Sequence, residues 1–265
     1  MIADATALRV LAEDLARRAG TGALVGRRRL GVGQVAYDTK SSPTDPVTEY
    51  DRAAERLIVD ALRSSRPDDA IVGEEGADVA GTSGLEWHID PIDGTANFIY
   101  DLPSWCTSVA VVDSDGPLAG AVYIPVTDEL FSAARGDGAT LDGDQIACSS
   151  VTELSRTLVG TGFSYAAERR ARQARRLSFL LPEVRDVRRL GSAAIDLCFV
   201  ACGRLDAYFE EYLNSWDLAA GVLIAQEAGA ITSDLRGGRA GSVATVAAAP
   251  GIHHDLVAAI NTIDS

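Results

Sequence analysis

The run Trp87-His88-Ile89-Asp90-Pro91-Ile92-Asp93-Gly94-Thr95-Ala96-Asn97-Phe98 passes from extended chain through a rigid turn to a helix start. Pro91 fixes its own φ and disfavours helix at Asp90, so the strand is expected to end with Asp90 and Asp93 leaving it together. Gly94 allows close approach of backbone to an anion, and Thr95 can open a helix whose free N–H groups point at it. Carboxylates, glycine and hydroxyl in this order are the chemistry of a metal-held phosphate, because hard oxygen ligands suit Mg²⁺. A tight Asp-Pro turn with a helix cap explains any single piece, but it explains the whole run poorly.

A chain of 265 residues can bury a sizeable core, either as one large domain or as two closely joined halves. With no linker, low-complexity segment or repeat period, we expect one domain over 1–265, built of two packed α+β halves that meet near 145–155. The start, Met1-Ile2-Ala3-Asp4, lacks a basic region followed by an apolar one, and no later apolar run is long enough to span a bilayer. The expectation is a cytoplasmic protein without a membrane partner. Cys106, Cys148, Cys198 and Cys202 form no disulfide framework in a chain this long, and Cys198 with Cys202 lacks a second Cys or His pair to complete a metal site.

The formal net charge of −14 argues against nucleic acid as a partner. It also repels phosphates, unless divalent cations at the site reverse the sign locally. The basic stretches Arg27-Arg28-Arg29 and Arg169 to Arg176 are too short and mixed to change that balance. Whether the second touches substrate, partner or water stays open.

Leu8, Leu11, Leu15 and Ala19 recur at helical spacing, predicting an opening amphipathic helix that ends near Gly20 or Gly22. A polar segment from Asp38 through Pro43 and Thr44 to Pro46 precedes a second helix from about Thr48 to Arg63. Strands are predicted at Ala70 to Gly76, Trp87 to Ile89, Val109 to Val112, Gly120 to Ile124 and Leu130 to Ala134. A basic helix from Ala166 to Leu180 follows, then an apolar helix opened by Gly191-Ser192-Ala193-Ala194. A strand from Arg204 to Phe209 and an apolar helix from Trp216-Asp217 to Glu227 come next. Ile231-Thr232, Val243 to Ala249 and a last helix, His254 to Ile260, finish the chain. The absence of a regular βαβ beat favours a layered α+β mixture over a doubly wound sheet.

Glu74 and Glu75 end a strand as Asp90 does, so neighbouring strands can deliver acids to one site; alone, such a pair is commonly surface decoration. Asp217 opens an otherwise apolar helix and reads equally as a cap. Asp45, between Thr44 and Pro46, fits either turn chemistry or a further metal- or water-orienting role. Gly191-Ser192 can offer N–H groups to an oxygen-rich ligand or simply cap its helix. His253 and His254 lack acidic partners at ligand spacing, and Ser164 lacks the surroundings of a hydrolase nucleophile.

Together these pieces resemble the inositol monophosphatase family of Mg²⁺-dependent, lithium-inhibited sugar phosphatases. The resemblance rests on Asp90 to Thr95 with Asn97-Phe98, and on Trp216-Asp217-Leu218-Ala219-Ala220-Gly221. Gly73-Glu74-Glu75-Gly76, Asp45-Pro46-Val47-Thr48 and Arg189 to Ala194 support it in the family's order. It implies a layered α/β/α/β/α sandwich of the sugar phosphatase type, a homodimer, and two or three Mg²⁺ per site with Li⁺ as inhibitor. By the same resemblance Glu74, Asp90, Asp93, Asp217 and the Ile92 carbonyl would hold metal, with Asp45 touching a further ion through water. Glu74 and Thr95 would orient the attacking water. Gly94 and Thr95 would bind phosphate, while Gly191, Ser192, Ala193 and Glu210, with Asp217, would meet the alcohol being released.

Tyr100-Asp101-Leu102-Pro103 departs from the family pattern of a basic residue and glycine before proline, which bears on substrate preference. Glu210 is followed by Glu211, so its assignment rests on a six-residue spacing from Trp216. The implied reaction is phosphate release from inositol 1-phosphate or a related polyol phosphate. The same fold also serves histidinol phosphate, fructose 1,6-bisphosphate and 3′(2′),5′-bisphosphonucleotides. A non-catalytic metal- or phosphosugar-binding module is disfavoured by the complete acid set.

Overall fold

The computed structural model describes residues 4–31, 33–40 and 45–262. Met1, Ile2 and Ala3, and the turn expected at Pro43 and Thr44, lie outside the described residues. Among the described residues the chain forms seven α-helices and fifteen strands.

Helix α1 (Ala5–Arg27) starts where the Asp4 carboxylate accepts the N–H groups of Thr6 and Ala7. It runs through Gly20 and Gly22, beyond the end its spacing predicted. The reason is tertiary: a Cβ on Gly20 would lie 2.8 Å from Pro125 Cγ and 2.9 Å from Tyr123 Cδ1. The glycine therefore lets the helix sit close on the sheet, and the resulting burial offsets a helix penalty of about 1 kcal/mol. Helix α2 (Glu49–Ser65) begins with a reciprocal Thr48–Asp51 capping box and buries Ala54, Ile58 and Leu62 on one face.

Strands β1 (Tyr37–Thr39) and β2 (Pro46–Thr48) pair as a short antiparallel ribbon. An eight-stranded sheet follows, made of β3 (Ala70–Gly73), β4 (Asp78–Val79), β5 (Glu86–Asp93), β6 (Cys106–Asp113), β7 (Gly116–Ile124), β8 (Glu129–Ala134), β9 (Ala139–Leu141) and β10 (Asp144–Gln145). Its order is β10-β9-β8-β7-β6-β5-β3-β4, and only β3 and β5 run parallel. The second sheet holds β11 (Leu158–Thr161), β12 (Asp186–Arg188), β13 (Ala207–Glu211), β14 (Ile231–Ser233) and β15 (Ala244–Ala248), ordered β12-β11-β13-β15-β14.

The remaining helices are α3 (Thr95–Tyr100), α4 (Ala167–Leu180), α5 (Ala193–Ala201), α6 (Ser215–Glu227) and α7 (His253–Asn261). Helices α1 and α2 cover one face of the large sheet. Helices α5 and α6 fill the space between its other face and the small sheet. Helices α4 and α7 lie against the outer face of the small sheet. The result is an α+β fold in five layers, α/β/α/β/α. Its central layer explains why Leu218 to Ala225 is apolar on every side: these residues are buried between two sheets.

Three local expectations change. Strand β5 continues to Asp93 through a bulge between Asp90 and Asp93, which absorbs the proline's missing N–H. Strand β3 stops at Gly73, leaving Glu74 and Glu75 in the turn to β4. Strand β13 begins at Ala207, because Arg204 and Leu205 donate their N–H groups to Phe199 O at the end of α5.

Candidate active site

At the end of β5 the Asp90 carboxylate accepts the Ile92 N–H at 3.0 Å, closing a turn over Pro91. Thr107 Oγ1 donates to the Pro91 carbonyl at 2.8 Å, so the neighbouring strand also braces that turn. Gly94 then takes φ 95°, a left-handed conformation that favours glycine; a Cβ there would lie 2.9 Å from Ser104 O. Thr95 Oγ1 reaches two acceptors, the Ile92 carbonyl at 3.1 Å and Asp51 Oδ1 at 3.2 Å. Asp93 reaches across to the next layer, where Ser192 Oγ and the Ala194 N–H both donate to its Oδ2 at 2.7 Å. The start of α5 is thereby fixed against β5.

These elements enclose a cavity of about 500 Å³. Asp45, Glu74, Asp90, Ile92, Asp93, Gly94 and Thr95 line it from the first half of the chain. Gly191, Ser192, Ala193, Glu210 and Asp217 line it from the second. Residues as far apart in sequence as Asp45 and Asp217 thus line one cavity. Asp217 Oδ2 also accepts the Asn214 N–H at 2.6 Å, so the cap and the cavity acid are one residue.

Burial dominates the electrostatics. The Asp90 carboxyl, 1% exposed, is pushed well above the usual range by burial and then by Glu74, Asp93 and Asp217. Asp217 is raised in the same way, by burial and then chiefly by Asp93. Burial lifts Asp93 to about 6 against the hydrogen bonds from Ser192 and Ala194. Glu74 is raised by burial despite Lys40, whose Nζ lies 2.7 Å away. Burial also lifts Glu210 to about 7, while Tyr208 OH donates to it at 2.6 Å.

Burial makes each of these acids costlier to ionise, and at Asp90 and Asp217 neighbouring carboxyls add to that cost, which is the environment a divalent cation relieves. The donor set is entirely oxygen, suited to a hard cation, and Glu74 Oε2 is buried without a hydrogen-bond partner. The residues therefore fit Mg²⁺ by their chemistry. Among the described residues no three His, Cys, Asp or Glu side chains are gathered closely enough to hold a metal ion as they stand.

Lys40, Asp51 and Asp196 are not singled out from sequence, and Arg189 enters there only as the first residue of a supporting motif. Thr48-x-x-Asp51 reads as a capping box, which it is, and its second contact to Thr95 has no local signature. The adjacent acids separate on β13: Glu211 is held by Arg172 at 3.2 Å and Arg176 at 2.6 Å, leaving Glu210 beside Tyr208. The basic segment divides similarly, with Arg176 buried under Glu211 and Arg169 lining the cavity and stacked over the Tyr212 ring. His253 Nε2 lies 2.8 Å from Ser233 Oγ.

The model of the inositol monophosphatase family matches residues 4–264. The inositol-1-monophosphatase SuhB of Mycobacterium tuberculosis is 47% identical over 270 residues, 96% of this chain and 93% of the relative. The Nus factor SuhB of Escherichia coli K12 is 41% identical over 86% of this chain and 85% of its own length. Among solved structures, extragenic suppressor protein suhB from Bartonella henselae superposes with a TM-score of 0.91, covering 97% of this chain and 99% of that one at 31% identity. Mycobacterium tuberculosis SuhB gives 0.84 at 42% identity, covering 97% of each chain. From the match along nearly its whole length, the chain belongs to the inositol monophosphatase family and is a phosphatase.

Proposed function

We propose that the protein is a Mg²⁺-dependent phosphate monoester hydrolase acting on inositol 1-phosphate or a closely related polyol phosphate. One observation carries this reading: Glu74, Asp90, Asp93 and Asp217 share a cavity with Gly94, Thr95 and Glu210. Glu74, Asp90, Asp93, Asp217 and the Ile92 carbonyl would hold the cation. Bound there, the metal would neutralise phosphate charge and lower the pKa of a water.

The chain's own groups supply position and polarity. Thr95 Oγ1, tethered by its two acceptors, and Glu74 would hold the attacking water against the phosphorus. Asp45 would touch a further metal ion through water, while the Gly94 and Thr95 backbone would cradle the phosphate. Glu210, Ser192 and the backbone of Gly191 and Ala193 would take the hydroxyls of the departing alcohol. Such positioning is most of what phosphoryl transfer asks of a protein.

The test is phosphate release from inositol 1-phosphate, fructose 1,6-bisphosphate, histidinol phosphate and adenosine 3′,5′-bisphosphate, each with Mg²⁺, with EDTA and with added Li⁺. Metal-dependent, lithium-sensitive release strongest on inositol 1-phosphate supports both parts of the proposal. Stronger release from another substrate keeps the metal chemistry and discards the alcohol.

A further inference from the structure

Trp87 and Ile89 pack with α1 and α2 on one face of the large sheet, so the alternation along β5 turns Glu86, His88 and Asp90 to the other face, toward α6. His88 is 7% exposed, and both of its ring nitrogens are engaged: Nε2 lies 2.9 Å from Glu86 Oε1 and Nδ1 lies 2.7 Å from Ser215 Oγ. Ser215 is the first residue of α6. On the adjacent strand β6, Ser108 Oγ donates to the Trp216 carbonyl at 3.3 Å. Two hydrogen bonds therefore tie the start of α6 to the large sheet, and the shorter one joins His88 to Ser215.

Packing alone holds this turn less firmly than the rest of the helix, since Asn214 and Ser215 are exposed whereas Leu218 to Ala225 are buried. Cavities also flank it. Asn214, Trp216 and Asp217 line the acid cavity, while Ser215 and His88 line a second one of about 570 Å³. Open space on both sides leaves the placement of the turn to its hydrogen bonds. That placement bears on the site, because Asp90 follows His88 by two residues on β5 and Asp217 follows Ser215 by two on α6. Both acids line the one cavity, where like charges repel until a cation lies between them. Slack at the start of α6 would let Asp217 retreat from Asp90.

Resting on the metal-dependent reading above, we infer that His88 and Ser215 are positioning residues, whose hydrogen bond holds the start of α6 against β5 and so keeps Asp217 within a cation's reach of Asp90. Neither side chain touches metal or substrate in this role. Apparent affinity scales with the fraction of metal-free molecules ready to bind, so losing the bond weakens Mg²⁺ binding by the share of that fraction lost. The worth of one ordinary hydrogen bond limits the loss to about tenfold.

The experiment measures Mg²⁺ binding by calorimetry, without substrate, for the parent, Ser215→Ala, Ser215→Thr, His88→Leu and the double variant S215A/H88L. Ser215→Ala and His88→Leu are each expected to weaken Mg²⁺ binding roughly three- to tenfold. The double variant is expected to lose no more than the worse single one, because either change removes the same bond. Ser215→Thr keeps the hydroxyl and should bind within about twofold of the parent. Inositol 1-phosphate turnover by Ser215→Ala should need more Mg²⁺ for half its maximal rate, yet reach within about twofold of the parent kcat once metal saturates. Ser215 is exposed, so its two variants keep the test intact if His88→Leu fails to fold. A lower metal-free unfolding temperature with unchanged Mg²⁺ affinity would make the pair merely structural and overturn the inference. Losses that add in the double variant, or a kcat that stays low at saturating Mg²⁺, overturn it as well. A parent that binds no Mg²⁺ overturns the metal-dependent reading itself, a result visible before any variant is made.

Discussion

Lys40 Nζ lies 2.7 Å from Glu74 Oε1 and 2.6 Å from Glu75 Oε1, placing one ammonium against two carboxylates at the rim of the acid cavity. The ammonium is held more strongly charged than usual: burial opposes it, and the two glutamates overcome that opposition. Lys40→Met keeps the apolar stem and removes the charge. Without added metal the variant is expected to unfold several degrees lower, from a loss of about 1–2 kcal/mol, because Glu74 and Glu75 then repel without a cation between them. Calorimetric titration with Mg²⁺ should show tighter binding than the parent. Weaker Mg²⁺ binding would make Lys40 a support for the metal site and not a competitor at it.

Asp93→Asn separates catalysis from architecture. Asp93 Oδ2 alone receives both Ser192 Oγ and the Ala194 N–H, and an asparagine oxygen can receive the same two donors. The start of α5 should therefore stay in place while the proposed metal ligand loses its charge. Phosphate release is expected to fall at least a hundredfold, with metal-free thermal unfolding unchanged or slightly raised. A fall of many degrees in that unfolding temperature would instead show that the carboxylate's main task is to tie β5 to α5.

Much of this site is legible in sequence because its signals are local. The turn from Asp90 to Thr95, the cap at Ser192 and the acid opening α6 each occupy a few residues with strong backbone preferences. Asp196 and Lys40 are invisible for the opposite reason: Asp196 looks like an ordinary first-turn helix acid, and Lys40 like a loop lysine. Their neighbours, Glu210 and Glu74, come from separate strands and turns. The same holds for the fold. Periodicity finds α2 and α4 because each has one buried face, whereas α6 has no polar face and its place between two sheets follows only from what packs on both sides. Glycine misleads in α1, where close packing against Tyr123 and Pro125 outweighs its poor helix propensity.

The central layer supplies a stability test independent of the cavity. Gly221 in α6 faces Leu197 in α5, and a Cβ there would lie 2.8 Å from both Leu197 Cβ and Cδ1. Gly221→Val must push the two buried helices apart, at an expected cost of about 1–3 kcal/mol, read as a lower urea midpoint with an unchanged slope. An unchanged midpoint would mean that α5 and α6 do not pack this closely in solution.

The clustered acids also set how metal-free stability depends on pH. Asp51 and Asp93 are lifted to about 6 and Glu210 to about 7, mainly by burial, while Asp90 and Asp217 stand well above their ordinary value. Each holds its proton more tightly folded than unfolded. Their contribution is therefore complete below the unfolded carboxyl value of about 4 and is lost as pH rises through 6 and 7. His88 acts oppositely: burial lowers its pKa, so protonating it costs stability as pH falls below about 6.5, offsetting part of the gain. Five raised carboxyls outweigh one histidine. EDTA-treated protein is expected to melt higher at pH 5 than at pH 8, by a difference on the order of a few kcal/mol. Adding Mg²⁺ at pH 8 should restore most of that difference and do little at pH 5, where protons already neutralise the acids and compete with the metal. Metal-free protein at least as stable at pH 8 as at pH 5 would show that the acids are better solvated, or farther apart, than their shared cavity requires.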